Sequence, residues 1–244
     1  MTAEDDENGV YDPWLELRGV AAVEEADPIL QIETIGGVAP LDTQIGVFPK
    51  KTVPDVLYDV MFGQHEPTEA EIKAASGGIS AESPMQAYAI LDAAKVINLP
   101  ELLENSGLEH RCLFKGDAYA ELKNVAPWIV RLEEGNSFTR NLFTRSDAPW
   151  HLWDSEPGIY ARSSGTLEDM WRHFRKFTRV QDEKLGWLYF RFWEADYLLA
   201  YLNVLPDGKH SAFMGPVRLI VTVGPDAKAV RWETRGHLQS QSSA

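Results

Sequence analysis

Short apolar runs alternate with segments of helical period from Met85 to Trp232, and that alternation constrains the fold more than any other feature. Gln86–Leu91, Arg111–Phe114, Pro127–Leu132, Gly158–Arg162, Leu188–Trp193, Val217–Val223 and Ala229–Trp232 read as strands. Between them lie helical segments: Leu99–Leu103 closed by Gly107, Ala118–Asn124, Ser137–Arg145, the stretch opened by Thr166, and Leu198–Leu205. The fourth is the most amphipathic. Leu167, Met170, Trp171, Phe174 and Phe177 form one apolar stripe, with Arg172, His173, Arg175, Lys176 and Arg179 on the other faces. Strand–helix alternation predicts an α/β layered domain with a mixed, largely parallel sheet flanked by helices.

The first part of the chain differs in character. Acidic residues dominate up to Glu33, and the opening to about Asn8 has little to bury. Ile29–Ile35 reads as a short strand. A helix pair follows: Val53–Phe62, with Pro54 in its first turn and Gly63 as a stop, then a segment after Pro67 in which Thr68 and Glu71 have capping-box spacing. Gly77–Pro84 reads as a linker. The organisation expected is therefore an acidic extension with a helix pair over 1–84, an α/β domain over 85–235 and a polar tail over 236–244.

Charge excludes some partners. The 244 residues carry a formal net charge of −14, which argues against nucleic acid because a phosphate backbone would be repelled. It is compatible with a basic protein partner, and also with a role in solubility alone. One cysteine, Cys112, allows no intrachain disulfide, and the acidic beginning is unlike a secretory leader. No apolar segment is long enough for a bilayer, so no membrane insertion is expected. These features point most simply to the cytoplasm.

Enzyme motifs are missing from the sequence. There is no G-x-S-x-G, no phosphate loop, no G-x-G-x-x-G and no H-E-x-x-H, and Pro67 follows His65–Glu66 where such a helix would have to continue. His151 and Asp154 could supply two metal ligands, but two are too few for a site, and they read as a polar pair in an aromatic loop. Cys112 reads as a core thiol. Ser163–Ser164–Gly165 occupies a strand-to-helix position where nucleophiles occur, but Thr166 with Asp169 three residues on more simply opens the next helix. The basic residues from Arg172 to Arg179 read as a solvated face that balances the acidic chain, or as a site for an acidic partner. No metal or cofactor is expected.

The order of several motifs resembles the effector-adaptor (effector-chaperone) family of type VI secretion systems, domain of unknown function 4123. Its opening strand is similar to Tyr88–Asp92, and its middle to Leu113–Gly116 with Ala126–Trp128. Its central pattern is similar to Phe190–Arg191–Phe192, then Trp193–Glu194–Ala195–Asp196, then Tyr197–Leu198–Leu199. Its closing pattern is similar to Phe213–Val217. The family pattern has aromatic-Asp-Pro-Arg where this chain has Trp193–Glu194–Ala195–Asp196, so the helix cap is weaker and an acid replaces a family arginine. The resemblance implies a non-enzymatic adaptor in the bacterial cytoplasm. It would bind the N-terminal region of a cognate effector and assist its loading onto the VgrG spike. Arg191, Trp193, Glu194 and Asp196 are the candidate partner-binding residues, because a cleft can form at their strand-to-helix junction; the alternative is that they only cap and brace the helix. An alternative is a small hydrolase or transferase using Asp92, Glu194 and Asp196. A third is an interaction module unrelated to secretion.

Overall fold

A computed structural model describes residues 30–64, 83–182, 186–205, 210–224 and 228–234. Nine strands are present among them: β1 Leu30–Gly36, β2 Gln86–Asp92, β3 His110–Cys112, β4 Pro127–Leu132, β5 Gly158–Ser163, β6 Arg179–Asp182, β7 Gly186–Tyr189, β8 Leu219–Val223 and β9 Lys228–Thr234. The helices are α1 Asp55–Phe62, α2 Leu99–Ser106, α3 Gly116–Leu122, α4 Ser137–Leu142, α5 Leu167–Arg175, α6 Ala195–Val204 and α7 His210–Met214, with a 3-10 turn at Trp153–Ser155. The second helix of the expected N-terminal pair, the Gly77–Pro84 linker up to residue 82, the opening acidic stretch and the polar tail lie outside the described residues.

Seven strands form one sheet in the order β1-β9-β8-β5-β2-β4-β3, and every pairing between them is antiparallel. This corrects the expectation of a largely parallel sheet. Among the described residues the one parallel contact is an isolated bridge between Leu41 and Thr144. The reason lies in burial. Helices cover both faces, so Ala87–Leu91 is buried at every position and reads like a parallel strand, where a one-sided antiparallel strand would alternate. Direction is also hidden by connectivity. From β2 the chain passes through α2, β3 and α3 before β4 pairs back onto β2.

Two apolar layers follow from the pleat, because successive side chains leave a strand on opposite faces. Ala87, Ala89 and Leu91 of β2 enter one layer with Leu57 and Met61 of α1, Leu99 and Leu103 of α2, and Phe138 and Leu142 of α4. Tyr88 and Ile90 enter the other with Met170, Trp171 and Phe174 of α5, Leu198 and Leu202 of α6, and Phe213 and Met214 of α7. Gly158 permits a close approach of β5 to β2. A Cβ there would lie 2.9 Å from the Ile90 carbonyl carbon, so no larger residue fits.

The central sheet also reaches the N-terminal helix. Arg162 of β5 is fully buried and donates to the carbonyls of Val60 (2.8 Å), Gly63 (2.5 Å) and Gln86 (3.2 Å). Its guanidinium thereby satisfies acceptors at the end of α1 that the helix itself leaves open. Burial pulls its pKa down to about 10.

β6 and β7 form a separate two-stranded ribbon. Leu188–Trp193 was expected to be one buried strand. In the structure β7 ends at Tyr189, its residues are exposed, and the chain turns at Phe192–Trp193 before α6. Aromatic residues here serve two purposes that sequence does not separate: Phe192 and Trp193 fill the α5–α6 layer, whereas Trp187, Leu188 and Tyr189 stand on the surface.

Candidate partner-binding site

The strand-to-helix junction is organised by Arg191. Phe190 and Phe192 pack into the apolar layer, and Arg191 between them points the other way, as alternation in an extended segment requires. Its Nη2 donates to Asp92 Oδ2 at 2.6 Å, and its Nε bonds Glu194 Oε1. Lys95 Nζ lies 3.4 Å from Glu194 Oε2, which closes a four-membered charge cluster. The cluster sits where β2 ends, and it ties the Asp92–Asn98 turn to the start of α6.

Asp92 is the buried member, with no exposure. Ala94 N–H donates to its Oδ1 at 2.9 Å, while its backbone N–H donates to Pro157 O at 2.8 Å. Burial pushes its carboxyl above the usual carboxylate range. The Ala94 N–H and Arg191 pull against that, and the neighbouring Glu194 adds to it. Arg191 itself is held in the opposite balance. Burial would lower its pKa, but the Glu194 hydrogen bond and the Asp92 charge outweigh it and the net shift is upward.

The four residues singled out in the sequence have different situations. Arg191 and Glu194 belong to the cluster and are partly exposed, with side-chain exposures of 39% and 19%. Trp193 is 2% exposed and contacts Phe192 edge-on at 5.3 Å, so it braces the core beneath the junction. Asp196 is exposed in the first turn of α6. Glu194 occupies the N-cap position but makes no side-chain cap bond, because Arg191 and Lys95 engage its carboxylate. Lys95 was missed. Its only signal was a position three residues beyond the Asp92 that ends an apolar strand. Ile97 and Tyr197, exposed at 84% and 56%, flank the two halves of the cluster in sequence.

The other chemical candidates resolve into structural roles. Cys112 is buried, and burial pushes its thiol up to about 11. His151 Nδ1 faces Ser146 Oγ at 2.5 Å, while Asp154 pairs with Arg145, so the two do not converge. Ser163 Oγ donates to Pro216 O and accepts from Gly165 N–H. Thr166 and Asp169 form a capping box on α5, each side chain accepting the other's backbone N–H. Among the described residues no group of three metal-ligating side chains occurs, and no helix is long and apolar enough to cross a membrane. A pocket of about 40 Å³ lies between Trp153, Pro157, Tyr160 and Gly224, room for about one or two waters.

Fold and junction define a single antiparallel sheet covered by helices on both faces, whose motif residues lock a strand end to a helix start. The family model for a domain of unknown function, DUF4123, matches residues 87–212, just over half of the chain, and the protein belongs to that family. The match runs from β2 to α7 and leaves β1, α1, β8 and β9 outside. No curated protein and no solved structure matches.

Proposed function

We propose that this protein is an effector adaptor of a type VI secretion system. It holds the N-terminal region of a cognate effector in the bacterial cytoplasm and assists its loading onto the VgrG spike. The supporting observation is membership of the DUF4123 family together with the place of its central motif. Arg191 joins Asp92 of β2 to Glu194 at the head of α6, and this preorganises a rim on which the exposed Asp196 and Tyr197 are available to a partner. Rigid, partly desolvated charge pairs at such a rim favour specific protein contacts over loose ones.

The carboxylates of the alternative hydrolase reading do not act as a set. Asp92 and Glu194 are both engaged by Arg191, and Asp196 stands apart on α6. That geometry favours holding over bond-making. The test is affinity capture of the tagged full chain from its native host, with identification of the co-eluting protein, and effector secretion measured in a deletion strain. A stoichiometric effector complex and lost secretion are expected. Normal secretion with no complex would reject the adaptor role.

A further inference from the structure

A second surface, built around Trp171 of α5, has a charge opposite to that of the chain. The guanidinium of Arg111 lies 3.4 Å from the Trp171 ring centroid, that of Arg175 4.4 Å, and Lys115 Nζ 4.9 Å. Trp171 is itself buried, so the indole is the floor on which three cations converge. Only Glu168 among the described residues offsets them, and it is shared: it binds Arg111 on one oxygen and Arg172 on the other. Lys115 and Arg175 form no ion pair with a described carboxylate. Burial, followed by the Arg111 charge, lowers the pKa of Arg175. In a chain with 37 acidic and 23 basic residues, acids were plentiful, yet this face stays positive.

The patch continues onto the exposed ribbon. Phe114, beside Lys115, stacks on Tyr189 at 5.0 Å, and Arg179 lies over the same Tyr189 ring at 5.3 Å. Trp187 and Leu188 stand exposed on the same strand. We propose that this basic and aromatic face, centred on Arg111, Lys115 and Arg175, docks an acidic segment of a partner protein that also carries apolar side chains. The proposal goes beyond the adaptor reading and requires only that the partner be a polypeptide.

The manner of docking also follows. β3 is an edge strand, but the Cys112 carbonyl accepts from Trp171 Nε1 at 2.7 Å and the Leu113 carbonyl from Arg175 Nε at 3.2 Å. With an edge of only three residues and its Cys112 acceptor taken, strand addition has little to pair with, and the segment lies across side chains. A short acidic segment fits within the positive area. A nucleic acid would bring many more phosphates than the three cations neutralise, to a chain with a formal net charge of −14.

The test uses the full chain and a fluorescein-labelled peptide of three Glu-Phe-Glu-Leu repeats, with its Gln-for-Glu counterpart as control. Fluorescence anisotropy is expected to show binding of the acidic peptide that weakens with salt, and at least about tenfold weaker binding to the Gln peptide. The K115E/R175E variant should weaken the acidic peptide by about tenfold or more. K115E alone, at an exposed position, should weaken it measurably with an unchanged circular-dichroism melt. Equal binding of both peptides, or unchanged affinity in both variants, would overturn the proposal. Tighter binding of a dodecamer of thymidylate than of the acidic peptide would overturn it in favour of nucleic acid. Effector capture separates the two readings: effector capture by a chain that does not discriminate the acidic peptide keeps the adaptor and removes this surface, whereas selective binding of the acidic peptide by a chain that captures no effector keeps the surface and removes the adaptor.

Discussion

His173 donates its Nε2–H to the carbonyl oxygen of Phe213 at 2.7 Å, inside the apolar layer that joins α5 to α7. A carbonyl can only accept, so Nε2 carries the proton and Nδ1 is bare. Protonating Nδ1 would bury a charge against Phe174 and Phe177, whose rings lie 5.3 and 5.2 Å away, and beside Lys176. Burial accordingly lowers the His173 pKa from 6.5 to about 4, with the Phe213 bond opposing that shift.

Acid sensitivity follows with a definite sign. Below pH 6.5 the unfolded chain takes up a proton at His173 that the folded chain refuses until about pH 4. Stability from this group is present above 6.5 and falls as pH drops through that window, by roughly 3 kcal/mol in full. Urea unfolding at pH 7 and pH 4.5 should show His173→Gln losing about 2 kcal/mol less than the parent chain. Equal losses would mean that His173 is not the group responsible.

Gly215 is held against the same ring. Its φ is +48°, and a Cβ there would lie 2.7 Å from His173 Nδ1. Gly215→Ala should therefore cost the left-handed strain of about 1–2 kcal/mol plus an overpacking cost of similar size. In a His173→Ala background the second part should vanish. A double-mutant cycle from denaturant midpoints reads that coupling, and strict additivity would refute the contact.

Arg162→Met removes the donor that satisfies Val60, Gly63 and Gln86 carbonyls. The expected loss is on the order of 3 kcal/mol, since buried acceptors are left unpaired. Amide exchange in α1 should accelerate more than exchange in α5, because only α1 loses its attachment to β5. Uniform acceleration across both helices would assign Arg162 a global role instead.

Arg191→Met strands the buried Asp92 carboxylate. Since Arg191 is partly exposed, the cost is discounted to roughly 2 kcal/mol at pH 7. Asp92 has a raised folded pKa, so its unfavourable charge sets in as pH rises through that value and is relieved as pH falls. The variant's deficit should thus be smaller at pH 5 than at pH 7. Asp92→Asn in the same chain should recover part of the loss, and a deficit independent of pH would contradict the pairing.

Much of the secondary structure was legible because it is local. Thr166 and Asp169 announced the α5 capping box by spacing alone, and Gly107 closed α2 in the left-handed conformation expected of it. Pro127–Leu132 and Ser137 open their elements where the sequence placed them. The short β6 strand and α7 were not read, and Leu188–Trp193 was read as one strand. A run of aromatic residues has the same local pattern whether it fills a layer or stands on a ribbon.

By itself, then, the sequence determined most of the helices and strands, how α5 starts and where its main apolar stripe runs, because these depend on neighbours within a turn. Only the tertiary structure decided strand direction, the salt bridge from Arg191 to Asp92, the hold of Arg162 on α1 and the gathering of Arg111, Lys115 and Arg175 on one indole. Apart from Arg175 on Trp171, one helical turn away on α5, those contacts join residues tens of positions apart in the chain. They exist because two apolar layers close on one sheet, and no local preference encodes which distant side chains that closure brings together.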